Sequence, residues 1–142
     1  MSARFLSPDR SAERRPNPPP LAAAALLEVA DGLHSWRGAS GRQYAHGVFS
    51  LIECPPLPRA AYVLVRREAD GRRRALHIAS GQSDAPTLNL ARIRQRGAML
   101  GANEVHVHAL ATTDEERHLI VCDLRAGQFG ALAEEPARAV CA

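Results

Sequence analysis

The chain contains no lysine, and all 18 of its basic residues are arginine. Biased coding composition explains that uniformity better than selection at each site, so arginine density alone is a weak signal here. Aromatic residues make up only 4% of the sequence, so a core has to rest on Leu, Ile, Val and Ala. The cysteines number three (Cys54, Cys122, Cys141) and form no CxxC pair. An odd, dispersed set argues against a disulfide framework and for a reducing compartment. The longest apolar run, "LAAAALL", is far too short to span a bilayer, and the first residues carry charge without the apolar stretch of a signal peptide. The expectation is a cytoplasmic protein with no membrane partner. No glycine-rich phosphate loop, HExxH or GxSxG is present, and there is no internal repeat.

What remains has the make-up of a single domain: 142 residues, 46% hydrophobic, with a net charge of +3. That charge permits contact with nucleic acid without requiring it. Residues 1–20 hold Pro8, Pro16, Pro18, Pro19 and Pro20 beside four arginines, and read as a disordered Pro/Arg-rich arm. Residues 21–43 read as a helix, "LAAAALLEVADG", followed by a linker, with Gly32 as a helix stop.

From 44 to 128 the pattern is that of an α+β domain. "YAHGVFSLIE" alternates like a strand. "AAYVLVRR" and "RALHIAS" flank Asp70-Gly71, a tight-turn signal, and predict a β-hairpin. "TLNLARIRQRGAML" predicts a helix capped by Thr87, and "EVHVHAL" a strand. In "TTDEERHLIVCDLRAGQ", Thr113 and Glu116 fit a capping box, and Gly127 fits the far end of the helix. The expected architecture is a small mixed or antiparallel sheet with a central hairpin flanked by helices. Residues 129–142 read as a weakly patterned tail.

Several side chains are candidates for chemistry. Arg66, Arg67, Arg72, Arg73 and Arg74 crowd the tip of the hairpin, and Arg92, Arg94 and Arg96 lie on the following helix. Together they offer either a phosphate-facing, nucleic-acid-binding patch or simply a solvated surface. No aromatics interleave with them, so base stacking is not indicated. His106 and His108 share a strand face, and His118 and Cys122 share a helix face. These residue types suit zinc, although the spacing does not bring the two pairs together. Neither Cys54 nor Cys122 has a neighbouring base of the kind that activates a thiol.

"AAY" at 60–62, "HIA" at 77–79 and the following Ser80-Gly81-Gln82 resemble the paired hairpin motifs of the GIY-YIG nuclease family. The downstream "GANEVHVHAL" and "DEERHLIVCDL" are similar to the strand and helix of one bacterial branch of that fold. The resemblance covers about residues 59–128. It implies a hairpin, an arginine-bearing helix, a strand and a glutamate-bearing helix. In that family two tyrosines and the arginine prepare water beside a phosphodiester, while the glutamate holds a divalent metal. Carried over, Tyr62 keeps the first tyrosine, His77 replaces the second and Ala79 replaces the glycine. The arginine position falls near Thr87, with Arg92 as a substitute about a turn later, and the glutamate position falls near Val121, within "HLIVCDL". Asp123, two residues on, would point about 200° away on a helix.

The resemblance with these losses implies a catalytically inactive GIY-YIG-like domain serving as a binding or assembly module. Its partner would be a protein or a nucleic acid, and no cofactor would be required. The alternatives are a divergent nuclease using Mg²⁺ or Mn²⁺ held by Asp123 or Glu104, and a nucleic-acid-binding protein without chemistry.

Overall fold

The computed structural model describes residues 21–130. The arm at 1–20 and residues 131–142 of the expected tail lie outside the described residues. The elements in order are α1 (Leu21–Val29), β1 (Leu33–Arg37), β2 (Gln43–Ser50), β3 (Ala61–Arg67), β4 (Arg73–Ser80), α2 (Pro86–Leu100), β5 (Glu104–His108) and α3 (Asp114–Phe129). The five strands form one sheet in the order β1-β2-β5-β3-β4, and every neighbouring pair is antiparallel.

One expectation is narrowed and two change. Of the two sheet types expected, mixed or antiparallel, the sheet is antiparallel throughout. The β3–β4 hairpin is not central, because β5 inserts between it and the β1–β2 hairpin. Residues 33–37, expected to be linker, form edge strand β1, with Leu33 opposite Gly47 and Arg37 opposite Gln43. "LHSWR" carries little apolar alternation, so its strand character comes from pairing with β2 and from burying Trp36.

The sheet has two covered faces. On one, Leu26 of α1 and Leu90 and Ile93 of α2 pack on Phe49, Tyr62, Leu64, Val105 and Val107. On the other, Val121 and Leu124 of α3 pack on Trp36, Ala61, Val63, Val65 and Ile78. Covering both faces leaves β5 buried along its whole length. The sheet is curled, so its opposite edges meet: Arg73 Nη1 on β4 lies 3.4 Å from His34 Nδ1 on β1.

The β3–β4 turn forms where expected. Gly71 sits at φ +90°, and Glu68 N–H donates to Arg72 O at 2.8 Å. The hairpin then departs from strict alternation. Leu64 pairs with His77 but Val65 pairs with Ala75, which leaves Leu76 as a bulge. Ala75 therefore packs on the α3 side, whereas Leu76 and Ala79 pack on the α2 side.

The helix ends also differ from expectation. Ala85 caps α2 without a side-chain bond and Pro86 opens its first turn, so Thr87 already lies inside the helix. Thr113 does cap α3, its hydroxyl accepting from Glu116 N–H at 3.1 Å. Gly127 is not the end of α3, which runs on to Phe129. It is where the helix touches the β1–β2 turn: a Cβ there would lie 2.7 Å from Ala39 N and Arg37 O. No helix among the described residues is long and apolar enough to cross a membrane.

Candidate anion-binding cavity

A cavity of about 400 Å³ opens between the β3–β4 hairpin and α2. Tyr62 and His77 line it from adjacent strands, Asn89, Arg92 and Arg96 from α2, and Gln82 from the connection between β4 and α2. The bulge at Leu76 is what turns His77 to this side. The ring centroids of Tyr62 and His77 are 6.4 Å apart. Arg92 and Arg96 stand four residues apart, so one helix face presents both.

Asn89 shapes one wall. It is 1% exposed, its Nδ2 donates to Leu57 O at 3.0 Å and Ser83 O at 2.8 Å, and its Oδ1 accepts from Ser83 N–H at 3.0 Å. Gly81 packs against it so closely that a Cβ there would lie 3.1 Å from the Asn89 amide and 3.2 Å from Pro58 O.

Tyr62 is only 8% exposed, yet neither its hydroxyl nor the His77 ring bonds to another described residue. Burial raises the Tyr62 pKa, against the pull of Arg96 and Arg125, so the group is a neutral phenol near pH 7. Burial, then Arg96 and Arg125, lowers the His77 pKa, so its ring is neutral as well. Arg92 and Arg96 have no carboxylate within ion-pair distance among the described residues, and no carboxylate lines the cavity. Two neutral donors and two unpaired guanidiniums around one space favour an anion.

Arg125 was not foreseen as part of this region. Its Nε donates to Ile78 O at 2.8 Å, and it lines a second cavity of about 280 Å³ at the end of β4 that shares Ala79, Ser80 and Gln82 with the first. Val121 borders this second cavity. Its side chain packs with Ala61, Val63 and Ile78, on the sheet face opposite Tyr62. Asp114 is also at this second cavity, but its carboxylate accepts from Arg117 Nη2 at 2.6 Å and Arg59 Nη1 at 3.1 Å.

The carboxylates considered as substitute metal ligands are engaged elsewhere. Asp123 accepts from Ser40 N–H at 2.8 Å, Ser40 Oγ at 2.6 Å and Tyr44 Oη at 2.7 Å, which ties α3 to the β1–β2 hairpin. Burial opposes its charge, but these bonds hold its carboxyl below the usual range. Glu104 Oε1 accepts from Arg73 Nε and His106 Nε2, each at 2.9 Å.

The histidine candidates also separate. His106 Nδ1 accepts from Trp36 Nε1–H at 2.9 Å. Indole nitrogen only donates, so Nδ1 is unprotonated and Nε2–H must donate to Glu104. Both ring nitrogens are thus committed. His108 Nδ1 donates to Ala45 O at 2.8 Å. His118 lies on α3, with Nε2 3.7 Å from Cys122 Sγ. Among the described residues no group of three or more His, Cys, Asp or Glu is placed to hold a metal ion. Burial pushes the Cys54 thiol up to about 12, consistent with a packing role.

The hairpin-tip arginines form pairs. Arg66 and Arg74 reach Glu68 at 3.9 and 3.6 Å, Arg72 reaches Asp70 at 2.8 Å, and Arg67 and Arg73 reach Glu104 at 3.8 and 2.9 Å. Arg94 turns back to donate to Ile52 O at 2.7 Å and Cys54 O at 3.2 Å. Of the eight arginines singled out from the sequence, only Arg92 and Arg96 line the cavity.

Comparison with known proteins finds no matching family model, no matching curated protein and no matching solved structure.

Proposed function

We propose that the domain is a GIY-YIG-like module that binds the phosphate of a nucleic acid in the Tyr62–His77 cavity without cleaving it. The single observation that carries this reading is the composition of the cavity. Tyr62, His77, Arg92 and Arg96 surround one space, and no carboxylate joins them. The order of hairpin, helix, strand and helix from β3 to α3 supports the fold half of the reading. The chemical half rests on what a metal-dependent nuclease needs. Mg²⁺ requires hard oxygen ligands, and the position aligned with the nuclease glutamate is Val121, on the other face of the sheet. Tyr62, held as a phenol, is a donor to a phosphate oxygen rather than a base at neutral pH.

The test is incubation of the purified protein with branched, single-stranded and duplex DNA in Mg²⁺ or Mn²⁺, beside a binding titration at several salt concentrations. The expected result is salt-sensitive binding without cleavage, since neutralising phosphates releases counterions. Metal-dependent cleavage that disappears in Tyr62→Phe would establish the divergent nuclease instead. Absence of binding to every DNA at low salt would remove nucleic acid as the partner.

A further inference from the structure

We propose that this cavity selects a phosphomonoester, the terminal phosphate of a strand or of a free nucleotide, over the internal phosphodiester of a continuous chain. The inference rests on the reading of the cavity as a phosphate site and adds which phosphate it takes.

Charge is the first argument. Arg92 and Arg96 enter the cavity as two guanidiniums without an acidic partner among the described residues, and no carboxylate offsets them in the lining. A phosphomonoester carries about −1.5 to −2 at pH 7, against about −1 for a diester, so the monoester matches the pair. A terminal phosphate also offers three free oxygens, where an internal one offers two. The cavity supplies donors for a third oxygen: the Tyr62 hydroxyl, which bonds to no other described residue, and the neutral His77 ring.

Shape is the second argument. The wall at the connection between β4 and α2 is fixed. Asn89 spends all its polar atoms on Leu57 and Ser83, and Gly81 packs tightly against it, a Cβ there lying 3.1 Å from Asn89 and 3.2 Å from the Pro58 carbonyl. A rigid wall on that side favours a compact terminal phosphate over a chain that continues in both directions. The hairpin-tip arginines, which would track a continuous backbone, are paired with Glu68, Asp70 and Glu104.

The experiment is fluorescence anisotropy with labelled single-stranded oligonucleotides of one sequence carrying a 5′-phosphate, a 3′-phosphate or neither, with AMP and inorganic phosphate as competitors. Arg96→Gln and Tyr62→Phe probe the cavity, Arg72→Gln serves as a control at the hairpin tip, and thermal unfolding verifies that each variant folds. The expected result is binding about tenfold or more tighter for one phosphorylated end, lost in Arg96→Gln, weakened in Tyr62→Phe and kept in Arg72→Gln. Displacement by AMP would extend the site to free nucleotides, and its absence would restrict the site to strand ends. Equal affinity for all three oligonucleotides, still weakened by Arg96→Gln, would overturn the monoester preference and leave the phosphate site standing. No binding, or binding indifferent to Arg96→Gln, would remove both.

Discussion

Acid should destabilise this domain well above the pH at which its carboxylates protonate. The reason lies on the α3-facing side of the sheet, where His46 and His106 are each 0% exposed. Burial, only partly opposed by the bond to Tyr44 O, lowers the His46 pKa to about 3. Burial, against the raising effect of Glu104, lowers the His106 pKa to about 4. Both folded values lie below the unfolded value of about 6.5, so the unfolded chain takes up these protons first. The histidines' contribution is fully present above about pH 6.5 and is lost as pH falls toward the folded values. Between pH 7 and pH 5 each neutral, buried histidine should cost the native state about 2 kcal/mol, or about 4 kcal/mol for the two. His34, also lowered by burial and Arg73, acts in the same direction. The chain's one tryptophan reports directly, because Trp36 is buried and bonded to His106. Urea unfolding followed by Trp36 fluorescence should show the midpoint falling by about 2 M from pH 7 to pH 5, for a urea slope of about 2 kcal/mol/M. His46→Leu should remove about half of that dependence. A midpoint that stays level to pH 5 and drops only below about pH 4.5 would assign acid sensitivity to carboxylates and refute the argument.

Three further substitutions test the packing. Asn89→Ala should cost about 2–4 kcal/mol in urea unfolding, since it strands the buried Leu57 carbonyl and the Ser83 backbone groups. Gly127→Ala should cost about 1–3 kcal/mol by the same measurement, because its methyl would meet the backbone of residues 37–39 at 2.7 Å. Glu104→Gln should cost about 2–4 kcal/mol and alter the Trp36 emission, because Arg73 loses its anion and His106 its charged acceptor.

The chain advertises some of this and conceals the rest. The hairpin at Asp70-Gly71 and the cap at Thr113 are local devices, legible because a turn and a helix start depend on residues a few positions apart. Strand β1 is not local. "LHSWR" becomes a strand only because β2 lies beside it and Trp36 finds His106, 70 positions away. The pairing of Arg92 with Arg96 follows from helical spacing, whereas the commitment of Arg94 to Ile52 and Cys54 depends on a loop about 40 residues upstream. The same holds for Arg67 and Arg73, whose partner Glu104 sits on a strand that inserts later in the chain. Arg125 carried no signal at all, since reaching the Ile78 carbonyl requires α3 to pack beside β4.

The bulge at Leu76 shows how the two faces of the sheet come to do different work. Strict alternation along "RALHIAS" would put Ala75, His77 and Ala79 on one side. The extra residue divides them: Ala75 joins the α3 core, with Val65 opposite, while His77 lies across from Leu64 and lines the α2 cavity. Upstream of the bulge, Arg73 shares the α3 side with Glu104 and is consumed by it. Downstream, His77 and Tyr62 share the α2 side with Arg92 and Arg96, where no acid consumes anything. One inserted residue therefore puts His77 on the face of the sheet opposite the neutralised, structural Arg73. Counting arginines along the chain points to the hairpin tip, whereas local acids pair those residues and the charge without an acidic partner lies on α2.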